Sequence, residues 1–178
     1  MRKLLRANFD RIKKSKVFWA EFILLLLFGL AILVDNYRMS FEFGVPRADV
    51  LAECLFQSVL LSGIFFAVFC SLFVGTEYDE GTIRNKLVIG CSRVSIYFSN
   101  VISILAAVVF QSATAVGAVL AVGVVLCGKP NMETAHFFQL CAALLFLCMA
   151  YASIYNLCAM LINSKSYAST ANILLAFA

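Results

Sequence analysis

The sequence predicts an all-α, polytopic helical membrane protein, and three observations carry that expectation. Of its 178 residues 63% are hydrophobic and only 13% charged, about half the charged share of an average soluble domain. Apolar stretches long enough to cross a bilayer recur along the chain, separated by short polar passages. The basic residues are segregated rather than gathered into a stripe with aromatics, so the net charge of +4 bears on membrane orientation and not on nucleic acid. The expected architecture over 1–178 is one transmembrane domain. It comprises an N-terminal amphipathic elbow helix, four complete spans and part of a fifth.

Residues 1–16 hold seven basic side chains, Arg2, Lys3, Arg6, Arg11, Lys13, Lys14 and Lys16. Leu4, Leu5, Phe9 and Ile12 fall on one side of a helix through this segment. That pattern fits an amphipathic helix in the headgroup layer, its cations on anionic phosphates; a plain positive flank that sets topology is the alternative. The apolar run that follows is longer than a signal h-region and has no small-residue cleavage motif after it.

Span 1 is expected over 17–34, about 27 Å of helix. Glu21 lies one turn inside its basic end. An intramembrane carboxylate is a functional candidate by default, but at this depth pairing with Lys14 or Lys16 is the expectation. Residues 35–53 form a polar loop, and span 2 follows over 54–74. Span 3, over 98–127, contains Gln111, Ser112 and a stripe of small residues, Ala113, Gly117 and Ala121. Such a stripe lets another helix approach closely, and packing within the chain is the expected use. A turn at Gly128-Lys129-Pro130-Asn131 leads to span 4 over 137–162, which carries Asn156 with Tyr151 and Tyr155 one turn apart. A short polar turn at 163–167 precedes the start of span 5 over 168–178. Eleven residues make about 16 Å of helix, half the hydrocarbon thickness, so the chain reads as the first part of a longer protein.

Seven cysteines, most of them within apolar runs, behave as small hydrophobes. Cys141 and Cys148 share a helical face near His136, but their spacing matches no closed ligand set and no metal site is expected. Counting lysine and arginine by side puts eleven with the N-terminus, 75–97 and 163–167, against three in 35–53 and 128–136. The N-terminus and the charged passage are therefore expected in the cytoplasm.

That passage, 75–97, is the one strongly charged stretch after residue 54. Glu77, Asp79, Glu80, Arg84, Lys86 and Arg93 are its ionisable residues. Ile83, Leu87, Cys91 and Val94 step with a helical period, Gly81 and Gly90 bracket the segment, and Ser92 can cap the next helix. A simple turn needs far fewer residues, so something outside the bilayer is expected to engage it. Catalytic signatures are missing: the chain has one histidine and no HExxH, GxSxG or GxxxxGK[ST] sequence. ATP hydrolysis of the phosphate-loop kind therefore requires another subunit.

The passage "EYDEGTIRNKLVIGCSR" resembles the membrane subunits of type-2 ABC exporters, especially bacterial permeases of bacitracin and lantibiotic export. The shared pattern is a glutamate just inside the second span, a Gly-Thr pair, an amphipathic helix and a small-residue-plus-arginine end. Here these are Glu77, Gly81-Thr82, Ile83 to Ile89, and Ser92-Arg93. The resemblance implies a multi-pass permease of the bacterial plasma membrane, working with a cytoplasmic ABC ATPase and a second permease copy or homologue. It implies no cofactor in this chain; ATP and magnesium belong to the ATPase. It further implies that Glu77, Gly81, Thr82, Ile83, Arg84, Lys86, Leu87 and Arg93 form the coupling site. Ile83, Leu87 and Cys91 then enter a groove on the ATPase, and Glu77 holds the base of the loop through Arg84 or Arg93. An amphipathic, lipid-like or peptide antibiotic cargo suits the apolar spans. The competing expectation is a non-transporting scaffold or sensor that docks a cytoplasmic partner through the same loop.

Overall fold

The computed structural model describes residues 2–44, 47–128, 134–162 and 164–177. Among them the chain is helical throughout: α1 (Arg2–Lys14), α2 (Lys16–Phe43), α3 (Arg47–Asp79), α4 (Thr82–Val88), α5 (Arg93–Cys127), α6 (Thr134–Leu161) and α7 (Lys165–Ala176). Four helices are long and apolar enough to cross a membrane: Lys16–Phe43, Val50–Asp79, Arg93–Cys127 and Ala135–Leu161. The all-α polytopic architecture is thus observed.

Helix α1 buries Asn8 and Ile12 and half-buries Leu4, Leu5 and Phe9, while Arg2, Lys3, Arg6, Lys13 and Lys14 stay exposed. The chain bends at Ser15, whose extended backbone breaks the helix and whose hydroxyl accepts from the Phe18 N–H at 3.4 Å. The Trp19 indole N–H braces the bend by donating to the Lys13 carbonyl at 2.9 Å. Lys16 opens α2 in the exposed layer. Replacing Leu5, Phe9 and Ile12 together with serine removes the packed face of α1 without changing its charge. Membrane-inserted protein, measured by quantitative blot after carbonate extraction, should fall several-fold; unchanged levels would make α1 a topogenic tail only.

The expected loop over 35–53 is largely replaced by helix, α2 continuing to Phe43 and α3 starting at Arg47. Nothing from Asp35 to Phe43 breaks a helix, and polar residues continue one into the headgroup layer without cost to its backbone bonds. Gly44 ends α2 in the left-handed conformation (φ 68°). Asn36 donates to the Ile32 carbonyl and to Gln57 Oε1, so this extension is tied to α3. At the other end α3 runs past the expected limit at 74 to Asp79, and α5 begins at Arg93 rather than 98. The turn at Gly128-Lys129-Pro130-Asn131 lies mostly outside the described residues, and so does Asn163.

Helix α3 is the centre of the bundle, packing against α2, α5, α6 and α7. Its buried residues Leu55, Val59, Phe66, Phe69, Cys70, Phe73 and Val74 meet Ile104 and Val108 of α5 and Leu144, Cys148, Ala152 and Tyr155 of α6. Cys70 and Cys148 are packed in this core, and Cys54 in a second cluster with Leu33, Val50, Leu51 and Cys127, as small hydrophobes would be. Two expectations fail here. Ala113, Gly117 and Ala121 are exposed, and a side chain at Gly117 would meet nothing within 4 Å, so the small-residue stripe does not serve packing among the described helices. Glu21 forms no pair with Lys14 or Lys16, because the period of α2 turns it inward with Phe18, Leu25, Gly29 and Leu33 while both lysines face out.

Candidate functional site

The last turn of α3 carries Glu77 on the same face as the buried Phe73, Cys70 and Phe66, so its carboxylate enters the bundle instead of leaving it. The residue is fully buried. One carboxylate oxygen, Oε1, accepts from Arg11 of α1 and from Lys86 of α4, both at 2.5 Å. The other, Oε2, accepts from the Asn100 amide of α5 at 2.8 Å. A buried carboxylate is tolerated when its charge and lone pairs are met, and here three helices meet them.

A second layer extends the network. Arg11 also donates to the Phe73 carbonyl and lies over the Phe73 ring, 3.8 Å from its centroid. Asn8 donates to Asn100 Oδ1 at 2.7 Å and to Ser99 Oγ at 3.1 Å, and accepts from Lys86 at 3.5 Å. Elbow helix, second span, connecting helix and third span are thereby joined through one acid.

Helix α4 is set by its two glycines. Gly81 takes the left-handed conformation (φ 65°) and reverses the chain after α3, and the Thr82 hydroxyl donates to the Glu77 carbonyl at 3.0 Å. At the far end Gly90 (φ 90°) permits a paired cap, with Cys91 N–H bonded to the Lys86 carbonyl and Gly90 N–H to the Leu87 carbonyl. Ser92 then caps α5 by accepting from the Ser95 N–H at 3.2 Å. The bracketing glycines and the serine cap were all legible in the sequence.

Several sequence-predicted residues lie elsewhere than expected. Glu77 is bound by Arg11 and Lys86, not by Arg84 or Arg93, because the α4 period turns Lys86 toward the bundle and leaves Arg84 exposed. Arg11, grouped with the headgroup-binding cations, turns inward; a half-turn separates it from Lys13. Ile83 and Leu87 are half-buried and line a groove of about 790 Å³ with Arg84, Arg93, Ile96 and Met160. The fully outward apolar residues are Val88 and Ile89, 87% and 81% exposed. Asn8 and Asn100 were missed. Their signal was a carboxamide on the apolar face of α1 and another in the apolar run opening α5.

No group of three or more metal-ligating side chains occurs among the described residues; what the arrangement offers is mechanical connection. It defines a multi-pass helical membrane protein with a short helix between its second and third spans, held at the base by a buried ionic hub. The family described as ABC-2 family transporter protein matches residues 4–178. The chain belongs to that family, a class of membrane permeases that work with a partner ATPase subunit. No curated protein and no solved structure matches the chain.

Proposed function

We propose that this chain is the permease subunit of an ATP-driven exporter and that α4, within the 75–97 passage, receives the movement of a separate cytoplasmic ATPase. The observation that carries this is the division of labour on α4. Its Lys86 side is clamped to Glu77, while Arg84, Val88 and Ile89 are left facing outward. A rigid base and a free amphipathic face are what a helix needs to be pushed by a partner and to pass the push into the bundle. The cargo is an amphipathic, lipid-like or peptide molecule, in keeping with the apolar spans. Export by a pair of permeases agrees with the exposed Ala113, Gly117 and Ala121 face of α5, which a further helix can approach closely. ATP and magnesium are bound by the ATPase alone.

The test is co-purification of a cytoplasmic ABC ATPase from the same cells, with cargo-stimulated hydrolysis in reconstituted vesicles. A partner that binds without such stimulation would favour the scaffold reading. Orientation is tested by impermeant maleimide labelling of intact cells in a Cys91→Ser background. Met39→Cys should react and Asn85→Cys should not, since α1 and α4 meet at Glu77 at one end of the bundle, assigned to the cytoplasm. Reversed reactivity would remove the coupling role of α4.

A further inference from the structure

The inward stripe of α2 reads Phe18, Glu21, Leu25, Gly29 and Leu33, all buried. Glu21 therefore sits where helical spacing calls for an apolar residue, and it is 7% exposed. Gln111 of α5 faces it and is fully buried. The Gln111 amide approaches the Glu21 carboxyl, yet none of the four polar atoms of the two side chains has a partner at hydrogen-bond distance. Ion pairs among the described residues gather at Glu77, and none reaches Glu21. Glu21 follows Lys16 by five residues, about 8 Å of helix, which places the pair inside the hydrocarbon layer toward its basic end.

The surroundings are aromatic. Phe18 and Phe22 flank Glu21 on α2, Phe110 precedes Gln111, and Phe69 precedes Cys70, whose thiol is the other titratable group facing the acid. Ring pairs Phe18–Phe69 at 5.9 Å and Phe22–Phe110 at 5.8 Å tie the three helices around the acid. One turn deeper, a cavity of about 20 Å³ is lined by Ser58, Ser62 and Ser112 among apolar residues, enough for one water.

We propose that Glu21 and Gln111 form an intramembrane binding site for a monovalent organic cation, a primary ammonium or guanidinium group on an amphipathic molecule. An unpaired carboxylate at this depth is costly, and a cation removes that cost. Two carboxylate oxygens and the Gln111 carbonyl supply three acceptors, the number of donors on an ammonium group. The phenylalanine faces add favourable cation–π surface, and a single negative charge suits a monovalent organic cation better than a divalent metal. As a statement about cargo this rests on the permease reading; as a statement about binding it does not.

The test uses the full chain in phosphatidylcholine nanodiscs, without any ATPase, so failure of the ATPase partnership cannot be mistaken for failure of this site. Trp19, the one tryptophan of the chain, lies two residues before Glu21 and reports binding by fluorescence quenching. Dodecylammonium spin-labelled beside its amine should quench Trp19 saturably, and the equally labelled dodecanol should not. Glu21→Gln should weaken the ammonium at least tenfold while melting at or above the parent temperature. Gln111→Leu should weaken it as well, and provides the answer if Glu21→Gln does not fold. Competition by added phosphatidylethanolamine would identify a lipid headgroup as the natural source, and absence of competition a free amphiphile. Equal quenching by the alcohol, or unchanged ammonium affinity in both variants, would overturn the site.

Discussion

Glu77→Gln is expected to release both α1 and α4 from the bundle. The substitution keeps the shape and the Asn100 contact but removes the only charge that Arg11 and Lys86 share. Two cations then face one neutral amide in a buried site, and breaking such a pair from one side costs about 3–5 kcal/mol. The side chains of Arg11 and Lys86 keep 29% and 17% exposure, so water shares the burden and about 2–4 kcal/mol is expected. Each 1.4 kcal/mol is tenfold, so the docked state of α4 should lose between roughly thirty- and a thousand-fold in population. Hydrogen exchange over 82–91 reads this directly. Lys86→Gln in the Glu77→Gln background should recover part of the loss, since it removes the excess cation. Unchanged exchange in Glu77→Gln would show that the hub does not hold α4. The expected effect is large because the acid sits at the centre of the loop's support and not at its rim.

Val88→Asp is expected to abolish ATPase co-purification while leaving the permease folded. Val88 is 87% exposed, so the change touches nothing inside the bundle. An aspartate placed in an apolar contact with a partner is an unpaired buried charge worth several kcal/mol, which is two orders of magnitude or more in binding. Leu87→Asp should have a comparable effect on co-purification for a mixed reason. Leu87 is half-buried in the groove with Ile83, Ile96 and Met160, so its replacement also loosens α4. Comparing the two separates docking from stability: a normal exchange profile is expected in Val88→Asp and a raised one in Leu87→Asp. Full co-purification of both variants would exclude α4 as the ATPase contact.

The hub was only partly visible in the residues themselves. Glu77 announced itself as an acid at the end of an apolar run, and Arg11 and Lys86 as members of basic groups. Their meeting was not legible, because residues 11, 77 and 86 lie on separate helices and charge counting assigns cations to a side of the membrane rather than to a partner. Asn8 and Asn100 gave the fainter signal of a carboxamide on an apolar face, which by itself fits a solvent contact or a helix pair equally well. Glu21 was placed by depth alone and paired with nearby lysines. Depth was the wrong guide, since the direction of the side chain follows the 3.6-residue period of α2.

What the amino-acid sequence determined was everything that depends on local chemistry. Apolar runs of bilayer length impose helices because lipid satisfies no backbone group. Gly81, Gly90 and Ser92 delimit α4 and α5 because only these residue types supply a left-handed turn or a hydroxyl cap there. What only the tertiary structure decided was which polar groups share a buried volume. Glu77 collected Arg11, Lys86 and Asn100, whereas Glu21 and Gln111 met without satisfying each other. The cause is that ionic and amide contacts reach only about 3 Å, so they are set by how α1, α2, α3, α4 and α5 cross, and that crossing is fixed by packing around α3 rather than by any one helix.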